Sequence, residues 1–147
     1  MTLSFSIPLD AEGYLARECP ACGAYFKLRG DDAQDREVLV IFCPECGLAA
    51  PPSHFFTREQ IEVSKAVAIG WMTKQLNETF GKMEREFRSS KYISFKSQPL
   101  QAPPVRKLRE IVDLSQAELP CCETSVKVSF LNAISVLYCP FCGSVQV

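Results

Sequence analysis

Eight cysteines in four short clusters are the residues of this chain best suited to chemistry. The first two clusters are Cys19–Gly23 (CPACG) and Cys43–Gly47 (CPECG). Four thiolates at this spacing are what a metal ion such as zinc needs for tetrahedral coordination. The proline fixes one turn angle and the glycine accepts a positive φ, so the backbone can curl and aim its N–H groups at the sulfurs. The predicted metal ligands are Cys19, Cys22, Cys43 and Cys46.

The same pattern returns near the C-terminus in altered form. Cys139–Gly143 (CPFCG) repeats the second cluster, and Pro120–Glu123 (PCCE) stands where its partner is expected. Aligning Cys22 with Cys122 also aligns the lysines that lie five residues further along the chain. This correspondence indicates an internal duplication, with two related cysteine modules on one chain.

The second module departs from the first at one ligand. Cys19 aligns with Leu119, and an additional cysteine, Cys121, directly precedes Cys122. Because neighbouring side chains tend to diverge, both can reach one ion only where the backbone bends sharply. The predicted second set of ligands is Cys121, Cys122, Cys139 and Cys142. The sequence leaves open whether both adjacent cysteines bind, or whether another ligand such as Glu123, His54 or water completes the set.

These paired clusters resemble the knuckles of zinc-ribbon proteins and, less closely, those of rubredoxin. The resemblance covers the two cysteine-rich ends of the chain and not its centre. It implies two structural Zn²⁺ ions, because a metal with four thiolate ligands keeps no open position for water or substrate. Proteins with such ribbons often serve as non-catalytic parts of nucleic-acid machinery or as adaptors in larger assemblies. The likeness to rubredoxin leaves a redox or electron-transfer role at the cysteine sites as a further alternative.

The rest of the sequence favours a reducing compartment and argues against an enzyme. No apolar run is long enough to span a bilayer, and the N-terminus lacks the basic flank and apolar core of a signal peptide. We therefore expect a cytoplasmic protein without membrane contact, whose cysteines bind metal rather than form disulfides. No glycine-rich phosphate loop or nucleophile elbow is present, so we expect no catalytic activity.

The predicted fold is a small metal-stabilised α+β protein with two zinc-ribbon β-hairpin modules joined by a long amphipathic α-helix. The expected divisions are an N-terminal ribbon over residues 1–52, a central segment over 53–112 and a C-terminal ribbon over 113–147. A core as small as one ribbon needs the metal for stability. The predicted strands of these modules are Leu3–Pro8, Tyr25–Leu28, Glu37–Phe42, Val126–Phe130 and Ile134–Tyr138.

The central segment begins with a capping box at Thr57–Gln60, which predicts a helix from there to about Ser89. Apolar residues spaced three, four or seven apart form one face of this helix. A strand at Tyr92–Lys96 and a short helix at Val105–Val112 are expected to follow. Several large side chains on the long helix are of the types that dominate interfaces. The residues predicted to bind a protein partner or a second copy are Trp71, Met72, Phe80, Met83 and Phe87.

Residues 82–110 hold eight basic and three acidic side chains, whereas residues 1–60 hold five basic and nine acidic ones. Cations interleaved with aromatic rings suit single-stranded nucleic acid, although a solvated helix face is the alternative interpretation. The predicted contacts to DNA or RNA are Arg85, Arg88, Lys91, Tyr92, Lys96, Arg106, Lys107 and Arg109. The sequence thus predicts a non-catalytic zinc-binding accessory protein that contacts nucleic acid. The alternative is an adaptor or subunit of a larger complex that docks through the long helix.

Overall fold

The computed structural model describes residues 3–35 and 37–147, without the side chain of Asp35, and divides them into two compact units. The ribbon unit comprises Ser6–Ile61 and Arg109–Val147. The helical unit comprises residues 3–5 and Glu62–Leu108. Both cysteine-rich ends of the chain therefore lie in one unit, whereas the sequence predicted two modules joined by a helix.

The regular elements of the described residues are mostly short. The strands are β1 (Tyr14–Glu18), β2 (Tyr25–Arg29), β3 (Ile41–Phe42), β4 (Ala49–Ala50), β5 (Ser115–Leu119), β6 (Thr124–Val128), β7 (Leu137–Tyr138) and β8 (Val145–Gln146). The helices are α1 (Gly30–Asp35), a 3₁₀ turn at Pro52–Phe55, α2 (Arg58–Phe87) and α3 (Phe130–Ala133). The long α2 begins in the ribbon unit and continues into the helical unit.

The strands of both ribbons form a single antiparallel sheet in the order β1-β2-β6-β5. At its centre β2 pairs with β6, with Lys27 opposite Lys127 and Leu28 opposite Val126. The two lysines are equivalent in the alignment of the ribbons, so the duplicated halves meet about a local two-fold axis. Because a single ribbon has too little apolar surface for a stable core, joining the halves stabilises both.

One face of this sheet carries the apolar core. Phe26 and Leu28 of β2 and Val126 and Val128 of β6 are at most 2% exposed. Their spacing of two residues places them on the same face of the sheet. Phe55 of the 3₁₀ turn packs edge-on against Phe26, with 5.8 Å between ring centroids. The core therefore continues across the junction between the ribbons.

The opposite face of the sheet is held by buried ion pairs. The Asp10 carboxylate lies 3.0 Å from Nζ of Lys27 and 3.1 Å from Nζ of Lys127, which also contacts Glu12 at 2.8 Å. Burial by itself raises the pKa of Asp10. The backbone N–H of Tyr14 and the two lysines outweigh burial and hold this pKa well below its ordinary value of 3.8. One carboxylate thus bridges equivalent lysines of both ribbons.

Hairpins form within each knuckle rather than between knuckles. β1 pairs with β2 around the first cysteine cluster, and β3 pairs with β4 around the second. The strand predicted at Glu37–Phe42 therefore shrinks to Ile41–Phe42, and the one predicted at Ile134–Tyr138 shrinks to Leu137–Tyr138. The cysteine turns dictate this pairing because each turn brings its own flanking residues together.

Three further predictions from apolar spacing are wrong. Leu3–Pro8 and Tyr92–Lys96 are not strands, and Val105–Val112 is not helical. Alternation of apolar and polar residues indicates a strand only where a partner strand supplies hydrogen bonds, and none pairs with these segments among the described residues. By contrast, the strand predicted after the first knuckle is confirmed as β2, and the one predicted at Val126–Phe130 is shifted to β6.

The capping box at the start of α2 is confirmed. Thr57 Oγ1 accepts a hydrogen bond from the Gln60 N–H at 3.1 Å, and Gln60 Oε1 accepts one from the Thr57 N–H at 3.0 Å. Both residues are buried. These two bonds satisfy N–H groups that the first helical turn leaves unpaired, so the helix starts at a defined residue.

After α2 the chain returns along the helix as an extended strap, residues 93–104. The Asn77 side chain makes two hydrogen bonds of 2.9 Å with the backbone of Leu100. Ser97 Oγ donates to Glu84 at 2.8 Å. These contacts attach the strap to α2 by side-chain bonds instead of a strand ladder. The helical unit therefore consists mainly of α2 and the extended strap that runs back along it.

Replacing Asp10 with Asn should destabilise the ribbon unit by about 3 kcal/mol at neutral pH, because two buried lysines lose their shared counter-charge. The depressed folded-state pKa of Asp10 means that its contribution is present above the ordinary value of 3.8 and fades as the pH falls below it. Urea unfolding of both proteins should show a stability difference that shrinks with falling pH. Asp113→Asn, an exposed control, should have little effect at any pH. A difference that stays constant down to about pH 3 would contradict this account.

Candidate metal centres

The structure brings the eight cysteines together in two groups of four. The first site consists of Cys19, Cys22, Cys43 and Cys46, and the second site consists of Cys121, Cys122, Cys139 and Cys142. Within each site the Sγ atoms all lie within 4.8 Å of one another. Sγ–Sγ distances of 3.7 Å join three pairs, which are Cys19–Cys46, Cys22–Cys43 and Cys122–Cys139. A tetrahedral ion with metal–sulfur bonds of about 2.3 Å has sulfur–sulfur edges of about 3.8 Å, so the sulfurs fit such an ion.

Each knuckle turns its backbone toward a sulfur atom. The N–H groups of Ala21 and Cys22 donate to Sγ of Cys19. In the same way, the N–H groups two and three residues after Cys43 and Cys139 donate to the Sγ atoms of those cysteines. The glycine that ends each knuckle allows this curl, because it holds a φ near +72° that a Cβ would disfavour. The Cys-Pro-x-Cys-Gly pattern therefore builds a sulfur cradle lined with N–H donors.

The burial of the cysteine sulfurs and the repulsion between thiolates favour a bound cation at each site. Cys43 and Cys139 are fully buried, and this burial raises the pKa of both thiols, although N–H groups of their knuckles act in the opposite direction. Four thiolates gathered at such short distances would also repel one another. A bound cation offsets both effects and keeps the sulfurs deprotonated. The geometry therefore suits metal binding.

In the second site the two adjacent cysteines both belong to the ligand group. Leu119 takes the place that Cys19 has in the first ribbon and is completely buried in the core. Cys121 contributes the missing Sγ from within the turn. The turn bends sharply enough because Glu123 adopts a φ of +50°, at the position that a glycine holds in the first ribbon. The ligand has moved two residues along the chain, and the set of four is preserved.

Other candidate ligands stay outside the two sites. Among the described residues, no third group of His, Cys, Asp or Glu is placed to hold an ion, and neither His54 nor Glu123 joins either site. Both sites consist of sulfur alone, and the clusters fit zinc-ribbon-like knuckles. Four protein ligands leave no coordination position open for a substrate.

The residues predicted to contact nucleic acid are exposed but are not all in one unit. Seven of them, Arg85, Arg88, Lys91, Tyr92, Lys96, Arg106 and Lys107, belong to the helical unit, whereas Arg109 belongs to the ribbon unit. The first five lie around the turn where the chain leaves α2. We call residues 85–96 the hairpin tip.

The residues predicted to bind a protein partner divide into two sets. Trp71 and Met72 are 36% and 50% exposed. Phe80, Met83 and Phe87 are half-buried, and the Phe80 ring lies 6.3 Å from the ring of Phe95 in the strap. Phe80 is therefore occupied within the helical unit, and only the first half of the predicted face stays exposed.

Comparisons with protein-family models, with curated proteins and with solved structures find no match for this chain. In the described part of the chain, no helix combines the length and the apolar character needed to cross a membrane. The function must therefore be inferred from the residues of the two candidate metal sites and of the hairpin tip.

Substitution of either adjacent cysteine should disable the second site to the same degree. Cys121→Ser and Cys122→Ser each leave three sulfurs, so each should lower Co²⁺ affinity at that site by about tenfold or more. Titration of the reduced, metal-free proteins, followed by thiolate–cobalt absorption, measures this loss. Ser135→Ala is the matched control because Ser135 is an exposed residue of the second ribbon and is not among the four ligands. A Cys121→Ser protein that binds as tightly as wild type would remove Cys121 from the ligand set.

Proposed function

We propose that this protein is a non-catalytic accessory protein in which two Zn²⁺ ions stabilise the ribbon unit and the hairpin tip binds single-stranded nucleic acid. The observation that carries the second half of the proposal is the exposure of Tyr92. Its side chain is 96% exposed and lies within a group of exposed cations. Such a ring is positioned for base stacking.

Zinc is the metal that the donor set supports best. It prefers four thiolates in a tetrahedral arrangement and needs no further ligand. Each ion would then serve as a cross-link between two short hairpins that have few apolar contacts of their own. Iron in the same sulfur cage would give the rubredoxin-like alternative, which elemental analysis and visible absorption distinguish.

The backbone of the hairpin tip holds Tyr92 away from the protein. Ser90 Oγ accepts hydrogen bonds of 3.3 Å from the N–H groups of Tyr92 and Ile93, which close the turn. Phe95, a second aromatic of this segment, lies against Phe80 instead. Phe95 therefore anchors the strap, and Tyr92 is free to stack on a base.

The cations of the tip are available for phosphates. No carboxylate of a described residue lies within ion-pair distance of Arg85, Arg88, Lys91 or Lys96. The nearby Glu84 accepts hydrogen bonds from Ser97, and these bonds, together with the charges of Arg88 and Lys96, lower the pKa of this carboxyl. A recess of about 240 Å³ beside the turn is lined by Arg88, Lys96 and the hydroxyls of Ser90 and Ser94, and also by Glu84 and apolar side chains. Donors of this kind suit a phosphate group.

Binding of short labelled oligonucleotides, measured by fluorescence anisotropy, tests this function. Contacts to three or four phosphates would give a slope of log affinity against log salt of about −2 to −3 for single strands. Changing Arg85, Arg88, Lys91 and Lys96 together to Gln should flatten this slope. Tyr92→Ala should weaken binding by about tenfold with little change in slope, because stacking releases no counterions.

Lys65→Gln/Lys74→Gln is the matched control, because both lysines are exposed on α2 and lie outside the tip. This control should bind as wild type does. Binding that survives all four Gln substitutions would place the nucleic-acid surface elsewhere. No binding at about 50 mM salt would remove the nucleic-acid function altogether.

The adaptor role is the second candidate, and an exposed apolar stripe on α2 supports it. Ile69, Met72 and Leu76 are 45%, 50% and 44% exposed, and their spacing places them on one side of the helix. A partner helix could cover this stripe by packing apolar side chains between them. This candidate becomes the leading one if the oligonucleotide experiment shows no binding.

A further inference from the structure

The backbones of the two metal sites are joined directly by hydrogen bonds. Phe42, which precedes the first cysteine of its knuckle, donates its N–H to the carbonyl of Pro140 at 2.9 Å. Tyr138, in the equivalent position of the second ribbon, donates its N–H to the carbonyl of Pro44 at 2.8 Å. Each proline follows the first cysteine of its own knuckle. The bonds are therefore reciprocal, and each joins residues that flank a ligand, Cys43 on one side and Cys139 on the other.

The aromatic rings of the same two residues repeat this exchange. A Cβ atom on Gly143 would lie 2.9 Å from the Phe42 ring, and one on Gly47 would lie 3.3 Å from the Tyr138 ring. Each ring thus lies against the glycine that ends the knuckle of the opposite site. These glycines have φ values of +72° and +74°, the conformation that the curl around an ion requires. The two rings therefore pack against the knuckles in the curled conformation that suits ion binding.

Most of this junction is buried, with Phe42 and Tyr138 half-buried. Pro44 and Pro140 are fully buried, as are Cys43 and Cys139 between them. Breaking either hydrogen bond would leave a buried N–H and a buried carbonyl without partners, which is costly in an apolar environment. We therefore expect both hydrogen bonds to form together, and disorder in one knuckle to disrupt the other.

We propose that the two sites bind their metal ions with positive cooperativity through this junction. A knuckle without its ion loses the bonds that maintain its curl, because ion binding and local folding are coupled. The first ion orders one knuckle and thereby presents the carbonyl, the N–H and the ring that the other knuckle needs. The second ion then binds a site that is already partly ordered, and linkage makes the effect reciprocal.

The deciding measurement is the affinity of the second site with the first site intact or disabled. Reduced, metal-free protein is titrated with Co²⁺, and native mass spectrometry counts chains with no, one or two ions. Cys46→Ser disables the first site and should lower Co²⁺ affinity at the second site by about tenfold, within the usual range of coupling between sites. Second-site affinity that stays within about twofold of wild type would overturn the proposal.

A second variant keeps the test valid if Cys46→Ser fails to fold. Phe42→Ala/Tyr138→Ala retains every cysteine and removes only the two rings of the junction. With one Co²⁺ added per chain, it should hold more one-ion chains than wild type, in which chains with no or two ions should dominate. Phe130→Ala removes an exposed ring of the second ribbon, 62% exposed, and should resemble wild type. Equal one-ion populations in wild type and the double variant would contradict coupling through the junction.

Discussion

The gathering of four cysteine sulfurs at each of two sites is the constraint on which the rest of the ribbon unit depends. Cys43 and Cys139 lie at the centre of the ribbon unit with no exposed surface. Without a cation, burial and mutual repulsion would favour protonated thiols and loosen the curled knuckles. With a bound cation, each ribbon would be held rigid at its cysteines, although its hairpins have strands of only two or five residues. A metal ion at each site would therefore supply the order that such short strands cannot supply for themselves.

Three layers of contacts join the duplicated halves and stabilise both. The central β2–β6 pairing joins their apolar faces, Asp10 bridges the equivalent lysines on the opposite face, and the knuckles exchange hydrogen bonds at the metal sites. All three layers lie across the same local two-fold axis. We therefore expect the ribbon unit to unfold as one cooperative structure, together with the start of α2 that the capping box holds. The helical unit carries the exposed side chains of the hairpin tip.

Short sequence motifs predicted the parts of the structure that residues close together in the chain determine. The cysteine spacing identified both ligand sets, and Thr57–Gln60 located the start of α2. Pairing between distant segments was not predictable: nothing near Lys27 or Lys127 reveals that the two strands meet. Ligation by both Cys121 and Cys122 depends on the positive φ of Glu123, which residue type does not indicate. The aromatic residues before the second knuckle of each ribbon, Phe42 and Tyr138, are visible in the sequence, but only the structure shows that they contact the opposite site.

Metal content and metal–sulfur geometry, measured together on protein purified without chelator, test the central claim most directly. Elemental analysis should give two zinc ions per chain, and X-ray absorption should show about four sulfur neighbours at about 2.3 Å around each ion. Iron in place of zinc would favour the rubredoxin-like alternative. A ratio close to one, or nitrogen and oxygen neighbours in place of sulfur, would contradict the account of two all-cysteine sites that hold the ribbon unit together.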